Sequence, residues 1–216
     1  MKKLLISLTI SLSALGTFAS RPEEVNGRIP ALDALSNEEL IMSVPLKGQA
    51  DLVRSFQEKE ATRLIKGTYK PEKSGCNVET YRNKEVIIIT IPASNLFAPN
   101  DTELLADASV WLDPLRRYLN PSKPDMYRVL MVMHTDNTGS TSYTDSLSLE
   151  RVESIYEYLD DMGVDTRYLF PTGAGSTDPL VPNNTADGRA RNRRLEIYLI
   201  PGTLMQDEAK KGRIAL

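Results

Sequence analysis

The alternation of apolar and polar positions divides the second half of the chain into strands and helices. Two almost continuous apolar runs, 85–91 and 127–134, are typical of strands that are buried on both faces. Shorter runs complete the set of predicted strands, which are 77–81, 85–91, 127–134, 167–172 and 195–200. Apolar residues on one face predict a helix over 143–161, which Gly163 ends.

A further helix is predicted to begin at Asn100. Asn100 can cap the first free amides, and Glu103 stands three residues later, as in a capping box. The residues that follow at three- and four-residue spacing form one apolar face, namely Leu104, Ala108, Trp111, Leu115 and Tyr118. Pro114 lies within this run and predicts either a kink or a second helical piece that starts at Asp113.

Together these elements predict an α/β chain, in the form of an α+β sandwich. A mixed sheet of about four to five strands carries helices packed on it, in the order βαβαββ, because alternating strands and helices require crossover connections. Residues 173–190 are predicted to form a long loop, and residues 202–216 a flexible tail.

The first 75 residues have a different character. Residues 1–20 combine a basic start, an apolar stretch and small residues before a charged segment, which predicts a secretory signal peptide and a periplasmic protein. An uncleaved N-terminal anchor is the alternative. Residues 21–75 are predicted to be a partly helical N-terminal extension, with a helix over 49–66 that stops at Gly67.

Charge and composition exclude several classes of function. The formal net charge is −3, and removal of Lys2 and Lys3 with residues 1–20 makes it −5, which disfavours general nucleic-acid binding. The single cysteine, Cys76, cannot form an intrachain disulfide. The single histidine, His134, lacks the Cys and His partners of a typical zinc site, so we expect no metal and no cofactor and a core or pocket-wall role for His134.

Three sequence blocks stand in a fixed order in the second half. They are 134–139 (HTDNTG), 147–151 (LSLER) and 188–197 (GRARNRRLEI). Arg151 follows Asp136 by fifteen positions, and a Gly-Ala-Gly sequence lies at 173–175. These blocks resemble the OmpA-like domain, a family that includes outer-membrane porin tails, peptidoglycan-associated lipoproteins and flagellar stator subunits. The resemblance covers roughly residues 83–201, and we expect the domain to span 76–201.

This resemblance implies non-covalent binding of peptidoglycan through the diaminopimelate of its stem peptide. The side-chain end of diaminopimelate carries an ammonium and a carboxylate on one carbon. Asp136 can accept hydrogen bonds from the ammonium, and Arg151 can grip the carboxylate. The resemblance places further residues in the same site, namely Asn100, Thr135, Thr144 and Arg193. Thr144 stands where the family often has asparagine, and Ser176 replaces the usual acidic residue after Gly-x-Gly.

Each residue also has a purely structural interpretation. Asp136 could cap a turn, Arg151 could be a solvated helix residue, and Asn100 could be a helix cap only. The arginines of the last block, Arg189, Arg191, Arg193 and Arg194, could form a patch for an anionic polymer. Alternatively, Arg189 and Arg194 clamp the loop through carbonyls and acids.

Three functions come into question for this sequence. A module that binds the cell wall and tethers or spaces it accounts for all of these motifs. An outer-membrane or envelope protein is a candidate partner of such a module. A cell-wall hydrolase would need a serine activated by His134, but the chain has no Gly-x-Ser-x-Gly elbow, so we expect no enzyme. An envelope assembly protein, in which residues 21–75 bind a partner, is compatible with the first function.

Overall fold

The computed structural model describes residues 49–216. The predicted signal peptide and residues 21–48 lie outside the described residues.

Six helices and five strands make up this part of the chain. The helices are α1 (Ala50–Lys66), α2 (Pro71–Ser74), α3 (Ser109–Leu112), α4 (Thr141–Asp161), α5 (Ala186–Asn192) and α6 (Thr203–Lys210). The strands are β1 (Asn77–Tyr81), β2 (Val86–Pro92), β3 (Tyr127–His134), β4 (Leu169–Gly175) and β5 (Arg194–Pro201).

The strands form one mixed sheet in the order β1-β2-β5-β3-β4. Only β3 and β4 run parallel, with Val132 opposite Thr172. The central strand β5 pairs antiparallel with both neighbours, so that Ile197 faces Ile89 on one side and Met131 on the other. The crossover between the parallel strands contains α4, as the alternation of strands and helices requires. The predicted mixed sheet with packed helices is confirmed.

The main core lies between one face of this sheet and the helices. The apolar stripe of α4 supplies Val152, Ile155 and Leu159, all of them 0% exposed. Val53 and Leu64 of α1 enter the same core, so the helix predicted over 49–66 is confirmed with its end before Gly67. Burial of each such side chain stabilises the fold by roughly 1.5–3 kcal/mol.

The helix predicted to begin at Asn100 is wrong. Asn100 has a left-handed backbone (φ 60°), and α3 begins only at Ser109. The Asp101 carboxylate accepts hydrogen bonds from the amides of Thr102 and Glu103, which holds these residues in a turn instead. Pro114 lies in a short 3-10 helix, Asp113–Arg117, that continues from α3, in agreement with the predicted second piece.

Two further segments differ from the predictions. The loop expected over 173–190 contains the end of β4 and the short helix α5, which the Thr185 hydroxyl caps by accepting from the Gly188 amide. A helix therefore separates the last two strands. The expected flexible tail is helical at Thr203–Lys210, because Met205 and Ala209 are buried in the main core. Both segments are mostly polar, so no apolar periodicity predicts these two helices.

The sheet and α4 approach each other most closely at the Gly-Ala-Gly sequence of β4. A Cβ atom on Gly173 would lie 2.6 Å from the backbone nitrogen of Leu149. Next to it, the Ser148 hydroxyl accepts a hydrogen bond of 2.9 Å from the Gly175 amide. Only a residue without a side chain fits at Gly173. The first turns of α4, which carry several of the predicted site residues, are thereby fixed against β4.

We predict that Gly173→Ala destabilises the protein by about 1–3 kcal/mol, because the added methyl group must displace the backbone of α4. Urea unfolding would measure the loss in the free energy of unfolding. Gly163→Ala is the control, because nothing lies within 4 Å of a Cβ atom added at Gly163. Only the free-energy cost of a side chain on a left-handed backbone applies there. Equal stability of Gly173→Ala and the unmodified protein would contradict the close packing.

Candidate ligand-binding site

Asp136 lies two residues after β3, in the loop that leads to α4. One carboxylate oxygen accepts a 2.7 Å hydrogen bond from the Thr138 amide, and the other accepts from the guanidinium of Arg193. Asp136 itself is 6% exposed, but the side chain of Arg193 is 42% exposed. The ion pair is therefore at the protein surface, and Arg193 can move when another cation approaches.

The same contacts determine the protonation of Asp136. Burial alone would raise the pKa of its carboxyl, but the hydrogen bonds from Thr138 and Arg193 and the charge of Arg193 outweigh burial. The pKa of Asp136 is consequently below its ordinary value. The site offers a carboxylate anion at neutral pH.

Arg151 projects from α4 and is 3% exposed. Its Nε donates to the carbonyl of Asp101 (2.7 Å) and its Nη2 to that of Ala98 (3.1 Å). The guanidinium also lies over the ring of Phe97, 4.9 Å from its centroid. Burial, together with the charge of Arg193, lowers the pKa of Arg151, yet a guanidinium stays protonated at neutral pH. Among the described residues no hydrogen-bond partner faces Nη1.

Asn100 lies in the loop that Arg151 holds, between the two carbonyls. Its left-handed backbone suits asparagine, and its side-chain oxygen is 3.3 Å from the donating hydroxyl of Tyr143. Tyr143 is 43% exposed and stands in the first turn of α4, which the Ser140 hydroxyl caps. Because Asn100 starts no helix, its interpretation as a helix cap is excluded.

The two threonines of the predicted site behave differently. The Thr135 amide donates to Gly175, while its hydroxyl oxygen is buried and has no hydrogen-bond partner among residues 49–216. An unsatisfied buried hydroxyl costs about 1–3 kcal/mol, and a native structure usually keeps one only for a reason. The Thr144 hydroxyl instead donates to the Thr141 carbonyl and stabilises the start of α4.

The structure brings several of the predicted residues into contact with one another or with a shared loop. Asp136 contacts Arg193 rather than Arg151. The charge of Arg193 contributes to the lowered pKa of Arg151, after burial, and so connects the Asp136–Arg193 ion pair electrostatically with Arg151. Tyr143 was missed by the sequence interpretation, and its position before Thr144 was the available signal. The candidate ligand-binding site consists of Asn100, Thr135, Asp136, Tyr143, Arg151 and Arg193.

The clamping role of Arg189 and Arg194 is confirmed. Arg189 donates to the carbonyl of Asn183, and the fully buried Arg194 donates to the carbonyl of Asp178 and to the carboxylate of Glu196. These bonds hold the segment before β5 in place. Arg193, between them in the motif, is consequently presented to Asp136.

His134 is a buried residue of β3. Its Nε2 is 3.7 Å from the Glu196 carboxylate, and burial is the main cause of the lowered pKa of its imidazole. No group of three His, Cys, Asp or Glu side chains suited to a metal ion occurs within residues 49–216. Across the same range, none of the helices combines the length and apolarity that a membrane crossing requires.

Part of the chain matches a known protein family. Residues 96–193 match the model of the OmpA family. The chain therefore contains an OmpA family domain, which includes the whole of the ligand-binding site.

Three similar proteins illustrate the match. Outer membrane protein A of Bordetella avium is 38% identical over 76 residues, which are 35% of this chain and 39% of that protein. The peptidoglycan-binding protein ArfA of Mycobacterium tuberculosis is 41% identical over 72 residues, which are 33% of this chain and 22% of that protein. The chain thus spans well under half the length of these two relatives. The structure of the cell wall anchor of the T6SS from Pseudomonas aeruginosa has a TM-score of 0.53 and 25% identity, over 65% of this chain and 96% of that one.

We predict that Arg193→Ala raises the pKa of the Asp136 carboxyl, because the ion pair and its hydrogen bond are lost. A carboxyl whose pKa is lowered in the folded protein stabilises the fold above its unfolded pKa and loses that effect as the pH falls through the lowered value. In the variant this stabilising effect should be smaller, and its loss should be complete at a higher pH. Carbon-13 NMR titration of Asp136 measures the pKa. Arg189→Ala is the control, and equal shifts in both variants would contradict the assignment.

Proposed function

We propose that the domain binds peptidoglycan non-covalently through the diaminopimelate of the stem peptide and so tethers or spaces the cell wall. One observation carries this proposal: the Asp136 carboxylate, paired with the half-exposed Arg193, ends the strand that leads to α4, and α4 carries a buried Arg151 whose Nη1 has no hydrogen-bond partner among residues 49–216. An anion beside a cation is the complement of a zwitterion.

The side-chain end of diaminopimelate is such a zwitterion. Its ammonium replaces the guanidinium of Arg193 at one oxygen of Asp136, while the amide of Thr138 keeps the other oxygen in place. Its carboxylate accepts from Nη1 of Arg151 and from the displaced Arg193. Charge-assisted hydrogen bonds of this kind are about twice as strong as neutral ones. The exposed position of Arg193 allows this exchange without a change in the fold.

Polar groups around the charges supply the rest of the recognition. The unsatisfied hydroxyl of Thr135 is next to Asp136 in the chain and can bond the ligand. The amide of Asn100 and the hydroxyl of Tyr143 line the other side. Thr144 has its hydroxyl directed to Thr141, so we assign it a role in holding the loop rather than in direct binding.

The similar proteins support the same function and a place in the cell envelope. One relative is named as a peptidoglycan-binding protein, another as an outer membrane protein, and a structural relative as a cell wall anchor. With the signal peptide predicted at residues 1–20, we propose a periplasmic location, in association with the outer membrane. A hydrolase is not supported, because His134 is buried against Glu196 rather than beside a serine.

We predict that Asp136→Ala and Arg151→Ala each weaken binding to sacculi that contain meso-diaminopimelate by about 10- to 100-fold, since a hydrogen bond to a charged group contributes roughly 1.5–3 kcal/mol. Co-sedimentation of the purified protein with sacculi measures the affinity. Soluble muropeptides should not accumulate during the incubation, because binding leaves the wall intact.

Arg191→Ala is the matched control, since Arg191 is exposed and belongs to the same motif as Arg193. Its affinity should be close to that of the unmodified protein. Circular dichroism and urea unfolding would verify that the site variants are folded, which is necessary because Arg151 also holds the loop at 98–101. Undiminished binding of the folded Asp136→Ala protein would overturn the proposed site.

The hydroxyl of Thr135 allows a separate prediction. Thr135→Val keeps the shape of the side chain and removes the unsatisfied oxygen, so the free energy of unfolding should stay the same or increase. Binding to sacculi should fall by roughly 5- to 10-fold, because one hydrogen bond of about 1 kcal/mol is lost. Thr141→Val is a control outside the site. A variant that is less stable yet binds normally would assign the hydroxyl a structural role instead.

A further inference from the structure

A surface cleft lies at the end of α4 and is here called the α4-end cleft. One wall is the 3-10 helix Asp113–Arg117 with the turn at 119–121, and the other is formed by residues 162–164, directly after α4. Its volume is about 480 Å³, within the range of roughly 300–1,000 Å³ that is usual for small-molecule sites. The residues that line it are separate from the candidate ligand-binding site.

The floor of the α4-end cleft is apolar. Its buried lining residues are Leu119 and Val164, and the partly buried Met162 lies beside them. The Asp165 amide donates a 2.8 Å hydrogen bond to the Leu119 carbonyl, which joins the two walls below the opening. The floor can therefore take up a small apolar group without a change in the backbone.

The rim carries one carboxylate. Asp113 accepts a 2.7 Å hydrogen bond at Oδ1 from the hydroxyl of Tyr158 on α4, which fixes the carboxylate between the two walls. Within residues 49–216, no hydrogen-bond donor faces its other oxygen, Oδ2. This oxygen is available to an N–H group of a ligand.

Two arginines complete the rim. Arg116 follows Asp113 by three residues in the 3-10 helix, so the two side chains lie on the same side of that helix. Arg116 is exposed and forms no hydrogen bond or ion pair with another residue of the described range 49–216. The Nε of Arg117 is 3.5 Å from the carboxylate of the buried Glu60, which orients a guanidinium that is still 43% exposed.

This combination distinguishes between the anions that arginines bind. Guanidinium groups pair with carboxylates and with phosphates. A phosphate would be repelled by the carboxylate of Asp113. A peptide C-terminus instead offers a carboxylate to the arginines, a backbone N–H to Asp113 and, where its last residue is small and apolar, a methyl group to the floor.

We propose that the α4-end cleft is a second peptidoglycan subsite, which binds the C-terminal alanine of a stem peptide. The choice of this ligand rests on the proposed function. Met162 follows Arg151 by eleven residues along α4, so the two sites are about 16 Å apart along the helix. The cell wall presents many stem peptides on one polymer, and two contacts with one polymer bind more tightly than either contact alone.

NMR titration of the ¹⁵N-labelled protein with N-acetyl-D-alanyl-D-alanine tests the proposal, because this dipeptide lacks diaminopimelate. The amides of Leu119, Gly163 and Val164 should shift and saturate at millimolar concentration. The C-terminal amide of the dipeptide should bind at least about 10-fold more weakly, since the charge-assisted hydrogen bonds of its carboxylate are lost. Arg116→Ala should weaken binding of the dipeptide by about 5- to 10-fold, and Arg191→Ala is the control that should not.

Several results would overturn the second subsite. They are the absence of saturable shifts at these three amides, equal affinity for the dipeptide and its amide, and undiminished affinity of Arg116→Ala. Tighter binding of N-acetyl-L-alanyl-L-alanine than of the D form would assign the cleft to a protein C-terminus and reject the stem peptide.

The Asp136→Ala protein separates this inference from the proposed function. Its titration with the dipeptide should equal that of the unmodified protein, because Asp136 lies outside the α4-end cleft. Loss of the shifts in this variant would show that the dipeptide enters the candidate ligand-binding site instead, which would contradict a second subsite. Failure of the titration, with sacculus binding still dependent on Asp136, would reject the α4-end cleft alone.

Discussion

The ligand-binding site depends on the burial of one cation. Arg151 places its guanidinium on the ring of Phe97 and donates to the carbonyls of Ala98 and Asp101, which fixes the loop that carries Asn100. A buried charge is expensive unless it is hydrogen-bonded. Two backbone carbonyls reduce this cost without neutralising the charge. The cation is therefore stable where it is buried, and its Nη1 can still donate to an anion.

The charge of Asp136 is compensated in a different way from that of Arg151. Its carboxylate has a charged partner, Arg193, but the side chain of this partner is 42% exposed and therefore exchangeable. In the proposed function, the difference between a fixed cation and a replaceable counter-ion favours a ligand that carries both charges. A simple anion would have to compete with Asp136 for Arg193, whereas a zwitterion satisfies all three groups together.

Packing between α4 and β4 holds these charges in register. The backbone of α4 packs so close to Gly173 that no side chain fits there, and the Gly175 amide donates a hydrogen bond to the Ser148 hydroxyl. The loop that carries Asp136 connects β3 to α4, and Arg151 stands further along the same helix. The Gly-x-Gly sequence is thus a structural part of the site, although neither glycine belongs to the ligand-binding site.

Much of this could be predicted from the sequence, because continuous apolar runs and helical periodicity identify the strands and α4 directly. Short polar elements could not. In α5 the anchors are hydrogen bonds to Thr185 and Asn192 rather than an apolar stripe. At Asn100 the capping signal was present, but the turn at Asp101 replaced the helix. The spacing of Asp136 and Arg151 indicated a shared site, yet no pattern could reveal that Arg193 is the ion-pair partner of Asp136.

Recognition of a zwitterion would produce a specific order of ligand preference. A lysine in the stem peptide presents an ammonium to Asp136 but has no side-chain carboxylate for Arg151. Isothermal titration calorimetry with soluble muropeptides, one containing meso-diaminopimelate and the other lysine at the same position, tests this claim most directly. We predict that the diaminopimelate form binds at least about 10-fold more tightly, because one charge-assisted pair is lost with lysine. Equal affinity for the two muropeptides would contradict recognition of a zwitterion by Asp136 and Arg151.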